Sequence, residues 1–170
     1  MIDKSAKQWY LLTSKPHKDA IAEHHLVNQG YTVYRPLAQR LRLRRGKQET
    51  VIESLFPRYL FIELNRIDDN WAPIRSTIGV QGFVRFGEMP TPVPLQLINY
   101  LHLNESTFSE KAIDLDRFHV GDKVIIKDGP FQGLVGVFQN YDGEQRAIIL
   151  LEILRKTTPL KINPTQFMAA

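Results

Sequence analysis

Hydrophobic and polar positions change their period several times along the chain, and each change marks an element. Trp9 to Thr13 is a continuous aromatic and aliphatic run, which predicts a buried strand, and Ser14 with Pro16 then supplies helix-starting chemistry. A helix from about Lys18 to Asn28 follows, stopped at Gly30. At about 100° per residue, Ala20, Ile21, His24 and Val27 share one arc of that helix; Lys18, His25 and Gln29 share a second, polar and partly basic one. Tyr31 to Pro36 is β-branched and aromatic, a strand ended by proline. Leu41 to Arg45 and Gln48 to Glu53, joined at Gly46, read as a hairpin. Tyr59 to Leu64 is a further strand, Trp71 to Thr77 a weak helix interrupted by Pro73, and Gly82 to Phe86 a strand. Pro94 to Leu103 repeats Leu97, Ile98 and Leu101 at helical spacing. Helices, strands and a hairpin intermix, so residues 1–104 are expected to form an α+β domain, an antiparallel or mixed sheet flanked by helices. Residues 105–117 are polar, acidic and aperiodic, and read as a linker. Over 118–170, short apolar runs separated by Asp128-Gly129 and Asp142-Gly143 predict a small all-β barrel of about five strands.

Composition narrows the functional classes. The chain of 170 residues holds no cysteine, which excludes disulfide scaffolds, thiolate metal sites and cysteine nucleophiles and suits a reducing compartment. Its longest apolar run, Ala147 to Leu151, is far short of the ~20 residues a membrane span needs, so a cytoplasmic protein without a membrane partner is expected. The formal charge of +4 is unevenly spread: residues 1–60 hold 11 basic and 5 acidic side chains, whereas 61–117 hold 5 and 8. Within the first third, Arg40, Arg42, Arg44, Arg45 and Lys47 crowd around Gly46. They form either a solvated hairpin tip or a phosphate-facing patch. The histidines His17, His24, His25, His102 and His119 show no zinc-binding spacing, and no phosphate loop, nucleophile elbow or dinucleotide fingerprint occurs. Enzymatic activity, cofactor and metal have no positive signal; a monomeric binding protein is the expectation.

Three strings are more specific. Val120 to Phe138 (Val-Gly-Asp-Lys-Val-Ile-Ile-Lys-Asp-Gly-Pro-Phe-Gln-Gly-Leu-Val-Gly-Val-Phe) resembles the KOW motif of small SH3-like barrels, with Gly133 and Gly136 permitting tight backbone curvature. Trp9-Tyr10-Leu11-Leu12, Phe56-Pro57-Arg58-Tyr59-Leu60-Phe61 and Gly79-Val80-Gln81-Gly82-Phe83-Val84 resemble the N-terminal domain of the NusG family of transcription elongation factors. Within that family, Phe83-Val84-Arg85-Phe86-Gly87 followed by Pro90, Val93 and Pro94, with Glu53 four residues before Pro57, is similar to the specialised RfaH-type branch.

The resemblance implies binding without turnover. The family docks on the clamp helices of bacterial RNA polymerase and suppresses pausing, and the matching positions here are Tyr59, Phe61 and Phe86. Tyr59 and Phe61 alternate on one strand face, as either a docking pocket or plain core requires. RfaH-type members also read the non-template DNA strand. Lys15, His25 and Gln29 match that role, with Lys18 on the same helical face and the Arg40 to Lys47 cluster as a further DNA-facing group. Pro16 and the stretch Asn70 to Pro73 depart from the pattern, the latter lacking a His-Thr-Thr string that touches the opposite polymerase subunit.

The resemblance further implies that the C-terminal domain either forms the barrel, able to engage a small-subunit ribosomal protein, or folds as a helical hairpin masking the polymerase site. Glu144 to Lys156 fits both: Ala147, Leu150, Leu151 and Leu154 recur at helical spacing, yet Ala147 to Leu151 is equally a barrel strand. Glu53 and Arg146 match an interdomain ion pair of the helical form. An exposed pair would contribute about 1 kcal/mol or less, which leaves most of the docking to Leu150, Leu151 and Leu154. Pro130 and Gly136 oppose the helical form, at about 3 and about 1 kcal/mol respectively. A general NusG-type factor and a ribosome-associated, RNA-binding KOW protein are the competing functions.

Overall fold

The computed structural model describes residues 6–104 and 142–157; the linker at 105–117 and the KOW-like string at 120–138 lie outside the described residues. In chain order the elements are β1 (Gln8–Ser14), α1 (Asp19–Asn28), β2 (Thr32–Tyr34), β3 (Leu37–Arg44), β4 (Lys47–Ser54), β5 (Tyr59–Leu64), α2 (Ala72–Arg75), β6 (Val80–Phe83), β7 (Pro92–Val93), α3 (Leu95–Leu103) and α4 (Gly143–Thr157). They fall into two compact units, one of Met1–Arg35 with Pro57–Leu95, the other of Pro36–Phe56 with Gln96–Ala170.

The first unit is built on an antiparallel sheet of order β2-β5-β1-β6, with β7 also paired to β1. The β1 strand is central because its continuous apolar run can be buried on both faces. Tyr10 and Leu12 point to one face, where they meet Leu60, Ile62 and Leu64 of β5, Ala22 and Leu26 of α1, Ile74 and Val80. Fully burying each of the larger aliphatic side chains contributes roughly 1.5–3 kcal/mol. Alternation sends Leu11 to the other face beside Phe61, its register partner, and Phe61 stacks on Tyr34 at 6.1 Å.

Helix α1 buries neither of the two arcs named from its sequence. Its buried side chains are Ala22 and Leu26, while Ile21 and Val27 are 38% and 51% exposed. The reason is a close approach: Gly79, at φ +89°, lies so near the helix that a Cβ there would sit 2.9 Å from the Ala22 nitrogen. Only a small residue on the helix and none on Gly79 allow that seat. Gly30, at φ +94°, ends the helix as expected. The expected strand at Gly82 to Phe86 begins and ends earlier. After Phe83, the Val84 amide donates to Leu11 O at 2.9 Å, and the chain folds into a loop closed by the Arg85–Pro90 bridge.

In the second unit, β3 and β4 form a separate two-stranded sheet. The α3 helix buries Leu97, Ile98 and Leu101, as its pattern predicts. Residues 143–157, whose pattern fits either a barrel strand or a helix, are helical. Asp142, read above as half of a β-turn, is the helix N-cap: its Oδ1 accepts from the Gln145 amide at 2.8 Å and its carbonyl from the Arg146 amide at 2.9 Å. The buried stripe of α4 is Arg146, Ala147, Leu150, Ile153 and Leu154. Leu151 lies on its flank, half-buried, so Ile153 occupies the place the sequence pattern gave to Leu151.

Candidate functional site

The β3–β4 ribbon presents two chemically different faces. Its register is unbroken from Leu37 opposite Ser54 to Arg44 opposite Lys47. At the tip, Arg45 and Gly46 have φ of 53° and 76°, the left-handed pair that a two-residue hairpin turn needs to follow strand twist. Alternation places Arg42, Arg44, Lys47 and Glu49 on one face, and Leu41, Leu43, Gln48, Thr50 and Ile52 on the other. Arg40 pairs with Val51 in the register. Every side chain from Arg42 to Thr50 is exposed. Among the described residues, Arg42, Arg44, Arg45 and Lys47 make no ion pair.

A second polar surface runs along α1. Lys15 and Lys18 are exposed, and the backbone around them is fixed, since the Lys15 amide donates to Gly79 O at 2.8 Å and the Ala22 amide to Lys18 O at 2.8 Å. His25 is half-buried, 5.4 Å from the His24 ring. The Gln29 side-chain nitrogen donates to His25 O at 3.2 Å and to Thr77 Oγ1 at 2.9 Å. Thr77 in turn donates to Pro73 O at 2.9 Å. Both amide protons of Gln29 are therefore used within the protein, and its Oε1 is the group left to accept from a ligand. Thr77 and Gly79 flank Ile78 and hold this surface in place; sequence reasoning missed Thr77 and gave Gly79 only as part of a family-like string, since no periodic or charge signal marks either.

The aromatic set divides by exposure. Phe61 is fully buried, Tyr59 is half-buried opposite Thr13, and Phe86 is 41% exposed on the loop after β6, its amide donating to Thr91 Oγ1 at 3.1 Å. Trp9 and Phe56 are buried. Trp71, inside the stretch that departs from the RfaH-type pattern, has a structural task. Its ring meets Tyr10 edge-on at 4.8 Å and stacks on Phe83 at 5.3 Å, and its Nε1 donates to Asn65 O at 2.9 Å. Beside it, Tyr31 donates to Asn70 O at 2.6 Å; burial, and secondarily the Asp69 charge, holds its phenol above the usual range.

Among the described residues of the second unit, Arg146 has the largest fully buried side chain. Its Nε donates to Leu55 O at 2.6 Å, and its Nη2 to Glu53 Oε1 at 3.0 Å and, more weakly, to Ser54 O at 3.5 Å. The pair is far from an exposed one, with side-chain exposures of 1% for Arg146 and 23% for Glu53. Among the described residues no group of His, Asp and Glu could hold a metal ion, and no helix is long and apolar enough to cross a membrane.

Comparison with known proteins follows the same strings. Residues 7–102 match the family model NusG, described as transcription termination factor nusG. The chain is 28% identical over 171 aligned positions to the transcription termination/antitermination protein NusG of Staphylococcus aureus strain Mu50, covering 93% of each chain, and equally to that of strain N315. A solved structure on domain interaction in Thermotoga maritima NusG is 25% identical, covers 76% of this chain and 77% of its own, and has a TM-score of 0.42. Matched by the family model over more than half of its length, the chain belongs to the NusG family.

Proposed function

We propose that this protein is a transcription elongation and antitermination factor of the specialised RfaH type. In this reading it is a cytoplasmic monomer that binds the clamp helices of bacterial RNA polymerase, contacts non-template DNA and suppresses pausing. Tyr59 and Phe86 are the accessible polymerase anchors, with Phe61 supporting Tyr59 from within the sheet. Lys15, Lys18, His25 and Gln29 face the DNA strand; the lysines neutralise phosphate, and Gln29 Oε1 accepts from a base.

The observation that carries the specialised reading is the Glu53–Arg146 pair together with a helical 143–157 segment. In this reading the helical C-terminal state is the inactive one and the barrel the active one, the two packings being separated by a few kcal/mol. The general NusG reading is favoured by the S. aureus relatives, which are NusG proteins matched over 93% of each chain. RNA polymerase capture from extract, followed by pausing assays on templates of unrelated sequence, tests both. Capture with recruitment confined to one DNA element supports the specialised reading. Equal action on every template supports the general one, and capture of ribosomes without polymerase removes both.

A further inference from the structure

We infer that Arg58 is a positioning residue: its guanidinium latches the corner where β5, β1 and β6 meet, and so holds Tyr59 and Lys15 in fixed relation to one another. The inference rests on the reading above, which makes Tyr59 a polymerase anchor and Lys15 a DNA contact.

Arg58 has φ 74°, in the left-handed region that glycine enters freely and a residue with a side chain enters at a cost. Such a conformation persists where the surroundings over-determine it, and here the side chain itself does so. Its Nε donates to Ser14 O at 3.2 Å and its Nη2 to Gln81 Oε1 at 2.7 Å, while the Arg58 carbonyl accepts from the Ser14 amide at 2.8 Å. Both nitrogens belong to one rigid planar fork, so the two bonds fix the orientation of the guanidinium as well as its reach. Among the described residues it has no acidic partner, so ion pairing does not account for a half-buried arginine at this place.

The latch lies where the sheet is irregular. Thr13 pairs with Gly82 and Ser14 with Val80, so β6 carries one extra residue, Gln81, and this is the residue Arg58 holds. A bulge interrupts the ladder locally, and the Arg58 side chain bridges the interruption from the start of β5 across the end of β1. Ser14 is fully buried; one residue later the chain leaves the sheet, with Lys15 exposed and its amide donating to Gly79 O at 2.8 Å. On the other strand Tyr59 follows Arg58 directly and pairs with Thr13. Lys15 and Tyr59 thus each adjoin one member of the latched pair, and opening the latch loosens both.

The test uses Arg58→Gly, which relieves the strain at positive φ while deleting both side-chain bonds, and so separates positioning from stability. Gln81→Ala removes only the far acceptor, and Gln81→Glu keeps one. The full-length parent and these variants are compared by thermal unfolding, native-state amide hydrogen exchange and capture of purified bacterial RNA polymerase. Arg58→Gly is expected to unfold close to the parent temperature, yet to exchange its Ser14 and Lys15 amides at least about fivefold faster, as the loss of one or two local hydrogen bonds implies. Its polymerase affinity should fall by about 2- to 10-fold, the cost of ordering on binding what the latch orders beforehand. Gln81→Ala should show part of both effects, and Gln81→Glu should restore parent behaviour. Unchanged exchange in Arg58→Gly, faster exchange spread evenly over β1 and β5 together with a lower unfolding temperature, or undiminished polymerase capture would each overturn the inference. So would Gln81→Glu behaving as Gln81→Ala does. If the parent chain captures no polymerase, the function proposed above fails, while the exchange comparison in the free protein still decides the latch.

Discussion

At the scale of single residues, exposure separates side chains that the sequence makes look alike. Tyr59 and Phe61 alternate on one strand, and a pattern reading cannot tell anchor from core; the structure buries Phe61 completely and leaves Tyr59 partly accessible. Phe61→Ala should therefore lower stability by about 3–5 kcal/mol in denaturant unfolding. Phe86→Ala, on an exposed loop, should change stability by less than about 0.5 kcal/mol. In the proposed function it should still weaken polymerase binding by about 2 kcal/mol, measured by capture or anisotropy. Gly79 was legible only as part of a family string. Its role comes from a positive φ and a backbone neighbour in α1, contacts between residues 57 positions apart that no local pattern records. Gly79→Ala should cost roughly 1–3 kcal/mol, read as a loss of thermal stability, because it combines strain at that φ with a forced shift of α1.

Among the elements, those governed by local chemistry were legible and those governed by packing were less so. The expected strand at Tyr59 to Leu64 coincides with β5, and the hairpin turns at Gly46, which takes a left-handed conformation without strain beside Arg45, itself at positive φ. The pattern of α1 sorts its residues into arcs without marking Ala22 or Leu26 as the buried pair, since Ala22 is small and carries little hydrophobic signal, yet it fits against Gly79. The Asp142-Gly143 pair illustrates a real ambiguity: Asp before Gly opens a β-turn and Asp also caps a helix, and here the capping role holds. Asp142→Ala should destabilise α4 by about 1 kcal/mol, whereas Asp142→Asn should largely retain it, as helical content by circular dichroism would report.

For the whole molecule, the two units divide the proposed contacts: the aromatic anchors and the α1 surface belong to the first, the basic ribbon and the Glu53–Arg146 pair to the second. The family resemblance named both partners of that pair, and the small worth of about 1 kcal/mol or less holds only for an exposed contact. Burial of Arg146 against Leu55 O and Ser54 O changes the magnitude, since Glu53→Ala removes the carboxylate 3.0 Å from a buried guanidinium, a loss on the order of 3 kcal/mol. That is comparable with the gap proposed between the helical and barrel states, so Glu53→Ala should also raise polymerase binding in the absence of a DNA signal. The most direct measurement is the set of backbone Cα chemical shifts of residues 143–157 in the full-length free protein and in its Glu53→Ala variant. The account expects helical shifts in the parent chain and a measurable population with strand-type shifts in the variant. Strand-type shifts in both, unchanged by the substitution, would contradict it.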